Sequence, residues 1–159
     1  MNMRDAIVTC FSKYADFSGR ARRSEYWFWV LFNLIVGFVA NMFSSLLGSL
    51  TLYLIVIVAL LIPSISVTVR RLHDIGKSGW YYLLPVVPLV AMFFLLFTYL
   101  VTYDASSSIF YIIGLFEIAA LVLTIIFIIW MAKDSQPGMN KYGPNPKANN
   151  FDGMYGGMY

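Results

Sequence analysis

The most constraining feature of the sequence is a long stretch without charge, because no Asp, Glu, Lys, Arg or His occurs from Tyr26 to Val69. A helix that crosses a membrane needs about 20 mostly apolar residues, so this stretch is too long for one crossing and long enough for two. Small and polar residues near its middle predict a tight turn: Ser44, Ser45, Gly48, Ser49 and Thr51. We therefore predict membrane helices at about residues 26–46 and 50–69.

Two further apolar stretches follow. Residues 80–103 carry no charge, and residues 109–132 carry only Glu117. In lipid every backbone amide must be paired within its own segment, so both stretches are predicted to be helices. Only 12% of the chain is charged, against about 25% in a soluble domain. The sequence therefore predicts an all-α polytopic membrane protein with four transmembrane helices arranged as two hairpins, and it argues against a water-soluble enzyme.

The positive charges predict the orientation. All 11 Lys and Arg residues lie before the first helix, between the second and third, or after the fourth. With four crossings these segments share one side, and the positive-inside rule makes that side cytoplasmic. Tryptophans at the same ends of the helices agree with this: Trp27, Trp29, Trp80 and Trp130. We expect a bacterial cytoplasmic-membrane protein with both termini inside.

The segment before the first membrane helix predicts a short amphipathic helix over residues 3–14. Ile7, Cys10, Phe11 and Tyr14 fall on one face at helical spacing, and polar residues occupy much of the rest. Such a helix either lies in the inner membrane interface or packs on the cytoplasmic end of the bundle. The sequence does not decide between these alternatives.

Residues 1–132 are predicted to form a single membrane domain, followed by a flexible cytoplasmic tail at residues 133–159. The tail has no apolar run and is rich in Gly, Asn and Pro, so it buries too little surface to offset the ordering of its backbone. Docking of residues 136–146 beneath the bundle is the alternative for its first part.

One acidic residue inside a predicted span needs an explanation. A charge at the depth of Glu117 costs at least about 2.5–3.5 kcal/mol, so we expect the side chain to be neutral and hydrogen-bonded. Asn33, Gly37 and Asn41 form a stripe of small and amide side chains that could supply the partner, namely Asn33 or Asn41. A proton or cation relay through Glu117 is the functional alternative.

Two basic segments flank the predicted helices. The first is GRARRSEYW at residues 19–27, and the second is RRLHDIGKSGW at residues 70–80. Either could hold an anion, because Arg and Lys pair well with phosphate oxygens. The structural alternatives are a topology anchor for the first segment and, for the second, a tight turn that pairs Asp74 with an Arg of the first. The adjacent His73 and Asp74 also allow an enzymatic interpretation.

Three motifs carry a resemblance to a known family. The segments GRARRSEYW, RRLHDIGKSGWYYLLP and PGMNKYGPNP stand in this order, each at a predicted membrane boundary. Together they resemble the bacterial inner-membrane family called domain of unknown function 805, the YhaH-like proteins. The resemblance implies a small polytopic protein of the cytoplasmic membrane, and it implies no reaction, cofactor or substrate.

Because all three motifs fall on the predicted cytoplasmic side, we expect them to fold onto one another into one site. The predicted ligands for an anion or lipid headgroup are the basic residues Arg20, Arg22, Arg23, Arg70, Arg71 and Lys77. A supporting polar network is predicted from Glu25, His73, Asp74, Asn140 and Tyr142.

The leading functional interpretation is a non-enzymatic membrane protein whose basic site binds anionic lipid headgroups or an acidic partner. The alternatives are a small oligomeric transporter or channel that uses Glu117, and a lipid-modifying enzyme that uses His73 and Asp74. A homo-oligomer is possible as a further expectation, whereas the dispersed charge argues against nucleic-acid binding. With one His and one Cys in the chain, no metal site, catalytic residue or cofactor is predicted.

Overall fold

The computed structural model describes residues 1–102 and 107–147, without the side chains of 101–102 and 107–110, and the long elements in these residues are all helices. A 3-10 turn at Gly79–Tyr82 precedes the fourth helix. The helices are α1 Met3–Ser12, α2 Arg23–Leu46, α3 Thr51–Asp74, α4 Leu83–Thr102 and α5 Ser107–Ala132. Four of them, α2 to α5, are long and apolar enough to cross a membrane. The predicted all-helical class with four apolar spans is confirmed for this part of the chain.

The helix ends differ from the predicted ends where charged residues continue a helix. Helix α3 runs past the predicted end at residue 69 as far as Asp74. Arg is a good helix former, so Arg70 and Arg71 extend the helix although they leave the apolar stretch. The chain turns at Gly76, whose φ of 77° lies in the left-handed region that favours glycine. The functional consequence is that both arginines are held on a rigid helix.

By its contacts the chain forms two compact units, and the first comprises Met1–Gly79 with the segment that begins at Lys133. In this unit α2 packs against α3, and α1 packs against both. The core contains Cys10, Trp29 and Val67, which are all buried. The ring of Phe11 meets that of Trp29 edge-on, with centroids 5.3 Å apart. Helix α1 is therefore an integral part of the helix packing.

A proline inside α3 explains one hydrogen bond between α3 and the segment that follows α1. Pro63 has no amide hydrogen, so it leaves the carbonyl of Ala59 without its helical donor. The Tyr14 hydroxyl donates to that carbonyl at 2.6 Å. The Ser64 hydroxyl donates one turn back to the Leu60 carbonyl, also at 2.6 Å. The segment after α1 thus satisfies a backbone group that the proline leaves open.

The second unit is Trp80–Ala132, in which α4 packs against α5. Its side chains are almost all apolar, and large residues such as Phe93, Leu115 and Leu121 are exposed over most of their surface. Tyr81 and Trp130 pack edge-on with centroids 5.5 Å apart. Exposed apolar side chains all along two paired helices fit a surrounding of lipid.

Candidate functional site

The three motifs meet at one end of the α2–α3 pair, in what we call the motif cluster. Two backbone hydrogen bonds join the segments: the Ala21 amide donates to the Arg70 carbonyl at 3.0 Å, and the Gln136 amide donates to the Asp74 carbonyl at 2.9 Å. The ionic side chains of the cluster are Arg20, Glu25, Arg70, Arg71 and Asp74. The segment from Lys133 onward is thereby fixed against the end of α3.

Arg20 connects the first motif to both others. Its Nε donates to the Asp74 carboxylate at 3.0 Å, and its Nη2 donates to the Asp74 carbonyl at 3.3 Å. The remaining hydrogen bonds from Arg20 go to residues 133–147, which we call the returning segment. Their acceptors are the backbone carbonyls of Gln136 at 2.5 Å, Gly138 at 2.9 Å and Gly143 at 3.2 Å. A guanidinium group has five N–H donors, so every donor of Arg20 has an acceptor inside the protein.

Asp74 is the fully buried acceptor at the centre of the cluster. Its Oδ1 accepts from Arg20, and its Oδ2 accepts from Arg71 and from the Ser135 hydroxyl, the latter at 2.6 Å. Arg71 also donates to the Lys133 carbonyl. Burial of these charges is tolerable only because each has partners, and removing one partner from such a pair typically costs about 3–5 kcal/mol.

A second buried ion pair lies beside the first. Arg70 Nη1 and Glu25 Oε1 are 2.5 Å apart, and both side chains are buried. Arg70 Nε and Nη2 have no hydrogen-bond partner among the residues that the structure describes. The nearby thiol of Cys10 has its pKa raised to about 12, mainly by burial and further by Glu25, while Arg70 opposes the rise. Cys10 is thus a neutral packing residue at physiological pH.

His73 is engaged by both other motifs. Its Nδ1 is 3.2 Å from the Gly19 carbonyl, and its ring stacks on Tyr142 with centroids 3.7 Å apart and an interplanar angle of 6°. The Asn140 side chain donates to the His73 carbonyl at 3.0 Å. The ammonium group of Lys141 lies 4.9 Å from the Tyr142 ring centre. His73 and Asp74 therefore contact different partners, although they are adjacent in sequence.

Gly76 allows the closest approach between α3 and the returning segment. A Cβ atom at this position would lie 2.6 Å from Gln136 Oε1, and the positive φ would strain any other residue. The Gln136 Oε1 atom in turn accepts a hydrogen bond from the Asn140 amide at 3.1 Å. The glycine in the second motif therefore has a steric reason.

The other predicted anion ligands lie nearer the surface. Arg22 is half-buried and has no ion-pair partner in the part of the chain that the structure describes. Arg23 is exposed and lies 3.5 Å from Asp134, which also pairs with Lys147 at 2.8 Å. The hydrogen bond from Lys147, with the charge of Arg23, lowers the pKa of Asp134. Lys77 is half-buried.

The predicted ligand set is thus divided by burial. Arg20, Arg70 and Arg71 are buried and paired with acids, whereas Arg22, Arg23 and Lys77 reach the surface. All five residues of the predicted polar network make contacts within the three motifs: Glu25, His73, Asp74, Asn140 and Tyr142. The first part of the segment predicted as a tail contacts the cluster through backbone carbonyls that accept hydrogen bonds from Arg20, as in the docked alternative for residues 136–146. Residues 148–159 lie outside the described residues.

Sequence reasoning missed several contributors to the cluster. Ser135 and Gln136 lie outside the three motifs, and the acceptors at Gly138 and Gly143 are backbone carbonyls. A carbonyl leaves no trace in the residue type, so no sequence signal pointed to it. The contact of Tyr14 with Ala59 had a signal, namely the proline four residues after Ala59.

The predicted polar residues of the spans have separate environments. Asn33 donates to the Trp29 carbonyl at 2.8 Å and lies 3.4 Å from the Ser64 hydroxyl, whereas Asn41 is exposed. Glu117 is exposed on α5 and has no hydrogen bond or ion pair to any residue that the structure describes. The bond proposed between Glu117 and Asn33 or Asn41 would join the two units and stays a prediction.

Four helices long and apolar enough to cross a membrane define the chain as a helical membrane protein, and the buried ionic cluster lies at one end of its α2–α3 pair. In the described ranges no three His, Cys, Asp or Glu side chains converge into a group that could hold a metal ion. The cluster therefore offers ion pairing and hydrogen bonding as its chemistry.

The chain belongs to the family described as Protein of unknown function (DUF805), which matches residues 14–144. It is similar to Inner membrane protein YhaH of Escherichia coli K12, with 28% identity over 152 residues that cover 90% of this chain and 97% of the relative. It is also similar to Inner membrane protein YhaI of the same strain, with 40% identity over 91 residues, 56% of this chain and 77% of the relative. No solved structure matches the chain. The family resemblance is confirmed.

Proposed function

We propose that the protein is a non-enzymatic component of the bacterial cytoplasmic membrane that binds anionic lipid headgroups at its inner face. In this proposal α2 to α5 cross the bilayer as two hairpins, and both termini are cytoplasmic. The confinement of all Lys and Arg residues to three segments on one side supports the orientation. Two relatives are described as inner membrane proteins, which supports the location.

The observation that carries the proposal is the division of the basic residues by burial. Three arginines neutralise two buried acids and hold the chain together. The other basic residues of the predicted cytoplasmic side, with Arg22 and Arg23 at the start of α2, outnumber the remaining acids there. Cations at headgroup depth attract anionic lipids, with about 1 kcal/mol from each Lys or Arg.

Orientation is tested first, by labelling single cysteines in a Cys10→Ser background. Cysteines at Ser49 and Lys147 are expected to react from opposite sides of inverted and right-side-out vesicles. Reaction of both from the same side would contradict the four-span topology, and with it the inner-face site.

Lipid binding is tested by incubating the purified protein with vesicles of phosphatidylcholine that contain phosphatidylglycerol, followed by native mass spectrometry. The double change Arg22→Gln with Arg23→Gln is expected to lower the retained phosphatidylglycerol about thirtyfold, since two charges at about 1 kcal/mol each amount to about 2 kcal/mol. The matched control is Arg4→Gln with Lys13→Gln, which removes the same charge from α1. Equal retention by both double variants would overturn the proposal in favour of diffuse attraction or an acidic protein partner.

A second candidate function rests on Glu117. An exposed acid on α5 without a described partner is a costly feature in lipid, and such residues often line ion or proton pathways. Proton flux into proteoliposomes, read with a pH-sensitive dye, tests this candidate. Loss of the flux in Glu117→Gln would favour a transporter, whereas the lipid-binding proposal expects lipid retention to stay unchanged in that variant.

A further inference from the structure

A furrow runs along the α2–α3 pair of the first unit. Two cavities of about 300 and 190 Å³ share Asn33 and Ser64, so they adjoin along the helices. Tyr26 and Thr68 also line the first cavity, and Gly37 lines the second. The two cavities thus follow one another along the helix pair, from Tyr26 near the start of α2 to Gly37, and we call them together the furrow.

The furrow is open along one side and has an apolar lining. Leu34 and Leu61 on its rim are 66% and 50% exposed. The polar groups within it are satisfied by one another: the Trp29 indole donates to the Ser64 hydroxyl at 3.0 Å, and Asn33 donates to the Trp29 carbonyl at 2.8 Å. An occupant therefore meets mainly hydrocarbon surface.

The length of the furrow matches one leaflet of a bilayer. The rise along α2 from Tyr26 to Gly37 is about 16 Å at 1.5 Å per residue. Half of a hydrocarbon core of about 30 Å is about 15 Å. A single acyl chain that enters from the start of α2 would therefore fill the furrow from end to end.

A basic residue precedes the Tyr26 end of the furrow in the chain. The Tyr26 amide donates to the Arg22 carbonyl at 3.2 Å, so Arg22 lies one helical turn beyond the Tyr26 end of the furrow. Arg22 has no ion-pair partner among the described residues, and Arg23 follows it. A positive charge at one end of an apolar channel complements an amphiphile with an anionic head and a hydrocarbon tail.

From this juxtaposition we infer that the furrow between α2 and α3 holds one acyl chain of an anionic glycerophospholipid whose headgroup lies at Arg22. The inference rests on the proposed function and deepens it, because it assigns the ligand as a whole lipid and not as a phosphate group alone. The chain leaves bulk lipid for a surface of similar polarity, so contact fit stabilises it and the headgroup charge gives the selectivity.

Gly37 allows the furrow to be blocked without a clash in the protein. A Cβ atom at Gly37 would meet nothing within 4 Å, and the same is true of Gly114 on α5. Gly37→Leu therefore places a side chain in the furrow, and Gly114→Leu is the matched control in the other unit. Gly37→Ala adds one methyl group and keeps the test usable if the leucine variant does not fold.

The experiment measures retention of long-chain and of short-chain, water-soluble phosphatidylglycerol by native mass spectrometry. Gly37→Leu is expected to lose the long-chain lipid and to bind the short-chain lipid as the wild type does, whereas Gly114→Leu changes neither. Arg22→Gln is expected to lower retention of both lipids about fivefold.

The outcomes separate the two proposals. If Gly37→Leu retains the long-chain lipid while Arg22→Gln loses it, the furrow assignment fails and the headgroup site stands. If Gly37→Leu loses the lipid and Arg22→Gln does not, both fail, because the bound chain is then unrelated to the charge. A change from dimer to monomer in Gly37→Leu with lipid retained would overturn the inference and assign the furrow to a second copy.

Discussion

Different kinds of contact stabilise the helix packing inside each of the two units. In the first unit, buried charges and hydrogen bonds join α2, α3 and the segment after Lys133. In the second unit, α4 and α5 meet through apolar and aromatic side chains. The share of each span that is buried follows the same division, at 17% and 22% for α2 and α3 against 6% and 11% for the other two.

The difference teaches where structural specificity comes from in a chain this apolar. Apolar side chains gain little from choosing one another over lipid, so the packing of α4 on α5 tolerates many combinations. A buried guanidinium group requires particular acceptors at particular distances, as Arg20 shows with its five bonds. The first unit is therefore expected to respond sharply to single substitutions, and the second unit weakly.

The largest effect is expected from removing the central acid. Asp74→Ala leaves Arg20 and Arg71 buried without their carboxylate, which should lower the free energy of unfolding by about 3–5 kcal/mol. Denaturant unfolding in detergent, followed by tryptophan fluorescence, measures the change.

Two control variants show whether the loss of stability is specific to a buried acid of the first unit. Asp134→Ala removes an exposed acid from two surface pairs, and little change in the free energy of unfolding is expected because water screens both pairs. Leu115→Ala removes an exposed apolar side chain from α5, with a change within about 0.5 kcal/mol. A loss for Leu115→Ala as large as that for Asp74→Ala would break the distinction between the units, and an equally large loss for Asp134→Ala would break the distinction between buried and exposed acids.

A smaller effect is expected at the glycine beneath the returning segment. Gly76→Ala forces a Cβ into a left-handed position and against Gln136, at a cost of about 1–2 kcal/mol. The segment after Lys133 should then be cut by trypsin at Lys141 and Lys147 faster than in the wild type. Gly37→Ala, in open space and within a helix, is the control that should leave the cleavage rate unchanged.

The hydrogen bond that joins α1 to α3 is expected to contribute less. Tyr14→Phe removes the donor to the Ala59 carbonyl and should lower the free energy of unfolding by about 1 kcal/mol, seen as a lower melting temperature. The control is Tyr53→Phe, because the Tyr53 hydroxyl has no partner among the described residues. Identical melting of the two variants would show that the bond adds nothing to the packing of α1.

At neutral pH, the smallest effect on the free energy of unfolding is expected from ionisation of the thiol of Cys10, the one cysteine of the chain. Burial raises the pKa of its thiol from 9.0 to about 12, so the folded protein favours the neutral form. The unfolded chain ionises at lower pH than the folded one, so stability is greatest below about pH 9 and falls as the pH rises toward 12. Maleimide labelling at pH 7 should therefore be much slower than for Ser12→Cys in a Cys10→Ser background, and equal rates would contradict the burial of the thiol.

Much of this architecture could be predicted from the sequence, because the lipid imposes a simple rule. An uncharged stretch such as residues 26–69 allows few structures other than two helices. The meeting of the three motifs was expected because the predicted topology puts all three on one side of the membrane. The ends of the helices were less accurate, since Arg70 and Arg71 continue α3 beyond the apolar stretch.

The pairing within the cluster could be predicted only in part: a pair between Asp74 and an Arg of the first motif was one predicted alternative and is confirmed, whereas the choice of Arg20 was not predicted. The first motif holds three arginines and one acid, and the second holds two arginines and one acid. The sequence alone therefore allows many different ion pairs between these arginines and acids. The fold selects Arg20 for Asp74 and Arg70 for Glu25 because backbone positions bring these groups within 3.0 Å. Which arginines stay available for a headgroup is therefore known only from the three-dimensional arrangement.

The bonds from Arg20 to Gln136, Gly138 and Gly143 have a consequence for biosynthesis. While the ribosome is still translating α4 and α5, the carbonyls that complete the coordination of Arg20 do not yet exist. Until they are made, water must satisfy three of the five donors of Arg20, and Asp74 supplies the other two acceptors. A protein truncated after α5 would keep Arg20 in this partly hydrated state, so the ionic cluster assembles in two stages.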